Sequence, residues 1–239
     1  MIIQRLAVAL RKQDWVTVVI ETLIVVLGVF LGLQLGNWND ARADRAEERE
    51  IVLRLLAEAE ESQSNIERVI GESEKQAEIA LRLHDRFFET DVVPDKAVLS
   101  AELFSMGGYN DEGYILAALD QVMSSGRIRL IRSDDLLDAI AAYKDKSGTS
   151  KKAFENLGAM NLETLHIELN RIDARLTPDG IDLVTPPEDI LADEILRRQV
   201  GKFAMVYNTI HQFHENTLTV NQAYLDALTA YADEKGWLE

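Results

Sequence analysis

Cysteine is absent from the 239 residues. No disulfide framework and no thiol chemistry is therefore open to this chain, and the absence fits either redox compartment. Proline occurs only four times, at Pro94, Pro178, Pro186 and Pro187, so long stretches run without a breaker. A basic excess is also missing. The formal net charge is −16, and residues 1–38 set Arg5, Arg11 and Lys12 against Asp14 and Glu21, which leaves −17 on the remainder. Nucleic-acid phosphates need a basic face, so this composition excludes nucleic acid as a partner. A body this acidic does not lie flat on anionic lipid either. No glycine-rich phosphate loop occurs, since Ser147 to Lys152 lacks the spacing. There is no nucleophile elbow, no internal repeat and no low-complexity segment. Paired carboxylates occur throughout at this charge, so no single pair is informative.

What the chain does have is one long apolar run, Val16 to Leu35, reading VTVVIETLIVVLGVFLGLQL. Its strongly polar residues are Glu21 and Gln34. A helix needs about 20 mostly apolar residues to cross a bilayer, and no other segment approaches that length. Trp15 and Trp38 bracket the run at the spacing of interfacial aromatic anchors. The run exceeds the usual signal-peptide core, and the nearest small-x-small site, Ala41-Arg42-Ala43, lies beyond an Asn-Trp-Asn-Asp stretch. An uncleaved anchor is expected. Lys/Arg counts on the two sides nearly balance, but the short tail before the run carries three basic residues against Asp14. Such a tail is easier to retain than to translocate, so the expectation is an inside N-terminus and an outside body.

Gly28, Gly32 and Gly36 repeat the small-xxx-small pattern on one helical face. Glycines permit the close backbone approach that holds helices together in lipid. Glu21 precedes Gly28 by two turns on nearly the same face, and a carboxyl within a span usually faces protein or water. These four residues define the expected self-association seam. Glu21 also lies near enough to Trp15 to snorkel toward the headgroups instead.

Two stretches carry a resemblance. Ile20 to Gly28 with Leu33 to Asp40 (IETLIVVLG and LQLGNWND), and Val122 to Ile131 (VMSSGRIRLI), resemble an uncharacterised bacterial family, a domain of unknown function. Its members open with a span containing Gly-Glu-Ile and a Val-Val-Ile-Gly core, close it with Leu-Gln-Ile-Asn-Asn-Trp-Asn-Glu, and carry Ile-Ser-Ser-Gly-Lys-Leu in the body. This chain departs at Ile20, Thr22 and Gly36. The resemblance implies a single-span architecture and supplies no activity or site residues; the expected location is the bacterial inner membrane.

Residues 1–14 are expected to form a short basic amphipathic tail, or simply a frayed one, and 15–38 the transmembrane helix. From Asp40 onward apolar residues recur at threes and fours: Val52, Leu55, Leu56, Ala59, Ile66, Val69, Ile70, Ala77, Ala80, Leu81, His84, Phe87 and Phe88. This predicts a stalk helix over 39–92, coiled-coil-like near the membrane, with a weak stripe at Glu60 to Asn65. Pro94 ends it. Residues 93–239 are expected to complete an antiparallel helical bundle that packs with the stalk. Its helices are Lys96–Phe104, a segment from Tyr114 capped by Gly126, and one from Ser133 through Tyr143. A longer helix opens at Ser150 and carries Ile172 and Leu176, and one or two more follow from Glu188 with Gly201 as a soft point. Met106 to Asp111 is a turn, and the link from Ile181 to Val184 would make a brief extended pairing. The fold class is all-α.

Candidate chemistry is thin. His211 and His214 stand at i, i+3 beside Glu215, and Glu163 with His166 gives one Glu-x-x-His. Di-iron bundles need two such motifs and two further glutamates, and zinc needs three or four converging ligands. No cofactor and no metal is expected unless His166, His211 and His214 converge. Arg127, Arg129 and Arg132 form a basic island that neutralises Asp134 and Asp135, or holds a partner carboxylate. The reading is a non-enzymatic, membrane-anchored interaction or scaffolding protein, with the bilayer, its own span or stalk, and an unknown protein as partners. The second reading is a membrane-tethered sensor or ligand-binding module.

Overall fold

The computed structural model describes residues 15–105, 113–178 and 180–238; for residues 15–18, 21 and 160–169 it describes the backbone alone. The expected tail over 1–14 and the turn at Met106 to Asp111 lie outside the described residues. The chain is all-α apart from one small hairpin. It divides into two units between Glu50 and Ile51, and that boundary falls inside the first helix.

Helix α1 runs Trp15–Phe88, 74 residues. In the first unit its large apolar side chains from Val19 to Leu35 are all exposed, between 48% and 66%. It is the one helix among the described residues long and apolar enough to cross a membrane. That agrees with the length argument from composition.

The second unit is built on the rest of α1 and two other long helices, α4 (Asp134–Leu169) and α6 (Glu194–Glu234). Tyr143 stacks on Tyr224 and Phe154 packs edge-on against Phe213, so α4 and α6 run antiparallel. Asn221 reaches Ala59 while His211 reaches Ser73, so α6 is antiparallel to α1 as well. Helices α1 and α4 therefore run the same way, and the segment between them must carry the chain back. It does so through α2 (Lys96–Ser105), α3 (Ala117–Ser124) and a 3₁₀ turn, Arg127–Leu130.

Several boundaries differ from expectation for local reasons. Helix α3 starts at Ala117, not Tyr114, because side chains of α1 hold Gly113 to Ile115 in a non-helical conformation by hydrogen bonds to its backbone. Gly126 takes φ +71° just past α3, as its capping role requires. The helix from Ser133 does not stop near Lys146; it continues through Ser150, and Ser133 Oγ accepts from Leu136 N–H at its start. That helix ends at Leu169 rather than reaching Leu176. Ile172 is buried in the following link, and Leu176 belongs to strand β1 (Ala174–Thr177), which pairs antiparallel with β2 (Gly180–Leu183). The expected extended pairing is present, with a partner strand that periodicity had assigned to helix. A short helix α5, Pro187–Ala192, follows. The last break falls at Asp193, not Gly201: the Asp193 carboxylate accepts from Ile195 and Leu196 N–H and starts α6.

Two apolar clusters form the core. One gathers Leu55, Leu119, Leu136, Ile140 and Leu228. The other gathers Leu83, Leu99, Phe154, Phe203 and Tyr207. Between them lie buried polar residues, including Ser62, Ser147, Thr217 and Asn221.

Candidate functional site

The expected seam residues all lie on α1. Nothing lies within 4 Å of a Cβ built on Gly28, Gly32 or Gly36. Packing within one chain thus gives no reason for three glycines, each of which costs a water-exposed helix about 1 kcal/mol relative to alanine. The Trp15 and Glu21 side chains lie outside the described ones. Trp38 is 64% exposed and shares a shallow crevice with Ala41, Arg42 and Arg45. An amphipathic ring beside two guanidinium groups suits the headgroup level.

The two described histidines of α6 face different neighbours. His214 is fully buried and stacks on Phe154 at 4.7 Å. His211 turns the other way, with Nδ1 3.2 Å from Ser73 Oγ and Nε2 3.8 Å from Glu215 Oε1. The His166 side chain lies outside the described ones. Among the described residues no group of three or more His, Asp or Glu is placed to hold a metal.

Ser73, His211 and Glu215 resemble a nucleophile, base and orienting acid in outline. The details point elsewhere. Ser73 is 1% exposed and its hydroxyl donates to the Ile70 carbonyl at 2.9 Å. That hydroxyl has one proton, so in this geometry His211 Nδ1–H is the donor to Ser73 Oγ. All three residues sit within helices, whose backbone N–H groups are already paired, so no oxyanion hole faces them. The row acts as a polar tie between α1 and α6.

A denser polar layer sits between the two apolar clusters, and the sequence reading missed its role. Ser62 Oγ donates to Ile115 C=O at 3.2 Å and accepts from Ile115 N–H at 3.0 Å. Asn65 donates to Gly113 C=O at 2.9 Å. The Glu58 carboxylate accepts from Ala118 and Leu119 N–H, so α1 caps α3 from outside it. Side chains of one helix here satisfy backbone groups of a non-helical segment. On the other side Asn221 accepts from Tyr143 Oη at 3.0 Å and donates to Ala59 C=O at 3.0 Å and Gln63 Oε1 at 2.9 Å. Three helices meet at that one amide. Burial holds the Tyr143 and Tyr224 phenols above the ordinary tyrosine range. The Ser62 hydrogen bond opposes the shift at Tyr143, while the nearby Glu58 charge adds to both. The signal was the weak stripe at Glu60 to Asn65: a run of polar residues within a periodic helix marks a place where backbone docks.

A second feature lies on the surface of the same unit. Leu81, His84 and Phe88 belong to the apolar stripe read from the sequence, and Met205 lies near them on α6. The structure turns the core face to Ala80, Leu83, Phe87, Phe203 and Tyr207 instead. A stripe of threes and fours is wider than the seam two helices share, and the surplus is exposed: Leu81 52%, Phe88 38%, Met205 73%. Together with Gly201 and Lys202 these residues line a groove of about 730 Å³ between α1 and α6. No family model, no curated protein and no solved structure matches the chain.

Proposed function

We propose that the chain is a membrane-anchored helical interaction or scaffolding protein without catalytic activity. A single span holds it in a bacterial inner membrane, and its acidic body stands on the periplasmic side. The observation that carries this reading is the surface of α1 from Val19 to Leu35, where every described large apolar side chain is exposed. Soluble monomers rarely expose an apolar patch beyond a few hundred Å². The resemblance to the single-span bacterial family supports the same architecture, and the short basic tail supports the orientation. The glycines at 28, 32 and 36, which no packing within the chain uses, support self-association through the span. The reading as a ligand-binding module has less support. Most polar groups in the body's interior bond to one another, and the described grooves are open rather than enclosed.

Carbonate washing of membranes, followed by protease treatment of intact spheroplasts, tests the proposal. The expected result is a full-length chain in the pellet and a body digested from outside. Full-length chain in the soluble fraction would end the anchor reading. Protection until lysis would reverse the orientation.

A further inference from the structure

We propose that the groove beside Phe88 receives an acidic amphipathic helix from a partner protein. This rests on the interaction-protein reading and gives it a site and a class of partner. The floor is Gly201, where an added Cβ would lie 3.6 Å from the Phe88 ring. One wall is Leu81, His84 and Phe88 on α1, with His84 stacked on Phe88 at 4.5 Å. The other wall is α6, where Met205 stands 73% exposed. Two helices with a glycine floor and apolar walls form the trough into which a third helix lays an apolar face.

Charge selects the occupant. The rim carries Arg198 and Lys202, with Arg197 next to them over Phe88, all exposed, in a chain of net charge −16. Between these three and Lys235, helix α6 has no other lysine or arginine. Among the described residues none of the three pairs with a carboxylate. The Arg197 guanidinium lies over the Phe88 ring at 4.6 Å, and Arg198 Nε donates to the Glu194 backbone carbonyl. Arg197 also lines a neighbouring pocket with Glu89, Asp91 and Glu188, whereas the groove itself is lined by Arg198 and Lys202 and by no described carboxylate; Asp85 sits 3.7 Å from His84. Two other cations of the body are matched, Arg86 to Glu102 at 2.5 Å and Arg171 to Asp193. Two cations in a groove with exposed apolar side chains and no described carboxylate call for a ligand that is apolar on one face and anionic along its edges.

The test uses the full chain in nanodiscs of zwitterionic lipid at about 0.15 M salt, where the body's overall negative field is screened beyond roughly 8 Å. The probe is a fluorescent synthetic helix of about five turns, with leucines at i, i+3 and i+7 and glutamates flanking them. Anisotropy should report saturable binding. Met205→Asp and Lys202→Glu, both at exposed positions, should each weaken it about tenfold or more, the scale of one lost hot-spot contact. Unchanged helical circular dichroism keeps that comparison valid. Four results would overturn the proposal: no binding; equal binding of a scrambled isomer; equal binding of a lysine-for-glutamate version; or no loss in both variants. Displacement of the probe by anionic vesicles would assign the groove to lipid instead. Displacement by excess Met205→Asp protein would assign it to a second copy of the chain. Chain retained in the disc but unable to bind the probe defeats this proposal alone, while chain lost from the disc defeats the anchored reading.

Discussion

Gly113 sits at φ +78°, and a Cβ there would come 3.0 Å from Ile66 Cγ1 and 3.1 Å from Ile66 Cα. Gly148 sits in the helix α4 with nothing within 4 Å. The same substitution should therefore act in opposite directions. Gly113→Ala combines left-handed strain with overpacking against backbone, and should cost the body about 2–4 kcal/mol. Gly148→Ala should stabilise it by about 0.5–1 kcal/mol through helix propensity alone. Urea unfolding of the two variants beside the parent reads both signs. The buried polar layer permits a second paired comparison. Asn221→Leu strands the Tyr143 hydroxyl and the Gln63 amide, and should cost about 2–4 kcal/mol. The Tyr224 hydroxyl has no hydrogen-bond partner among the described residues, so Tyr224→Phe should fall within about 0.5 kcal/mol of the parent. If the two cost the same, Asn221 is not the hub that the geometry makes it. At this scale the sequence was only partly legible. Ser62 and Asn65 looked like a fault in a stripe because their acceptors, Ile115 and Gly113, lie some fifty positions away. No window of one helix contains both partners.

Among the elements, α6 depends most visibly on one residue. Asp193 caps its first turn and accepts from Arg171 Nε at 2.8 Å. The hydrogen bond from Arg171, then those from Leu196 and Ile195, hold the Asp193 carboxyl below its ordinary range against the opposing effect of partial burial. A folded-state pKa below the unfolded one means that the charged form stabilises the fold. That stability is fully present above the ordinary carboxylate pKa and is lost as pH falls through the lowered one. Asp193→Asn keeps a capping oxygen and removes the charge, so it should cost about 1 kcal/mol at neutral pH. The gap between parent and variant should close as the pH is brought below about 4. A gap that is flat across that range would mean that the cap matters and the Arg171 pair does not. Element type was mostly readable from periodicity. The exception is Ile172 to Leu176, whose apolar spacing fits either state. Hairpin pairing with Gly180–Leu183 and docking on α2, where Ser100 Oγ donates to Ile181 C=O at 2.5 Å, decide it for strand.

For the molecule as a whole, the property to test is the proposed self-association of α1 through its glycines. If Gly28, Gly32 and Gly36 face a second copy, Gly32→Ile puts bulk where two backbones would meet. Association of the isolated span in a bilayer reporter should weaken by about 1–2 kcal/mol, while Leu31→Ile, on another face, should change little. Equal behaviour of the two would move self-association, where present, to the stalk. Neither substitution should alter unfolding of the body, because no side chain lies within 4 Å of a Cβ at Gly32.

By itself the sequence determined a helix long and apolar enough to cross a membrane, the all-helical class, the acidic body and the absence of any standard catalytic motif. These properties depend on composition and local period, and a window of about twenty residues contains them. Only the tertiary structure decided three others. It made α1 and α4 parallel, because Ser133 to Leu169 continues as one helix and the segment after Phe88 must return to begin it. It turned the weak stripe of α1 into a seat for Gly113 to Leu119. It also left Leu81, Phe88 and Met205 on the surface, because the core face of each helix is set by which neighbour it meets. An apolar period marks the residues able to be buried, and the partner helix selects which of them are.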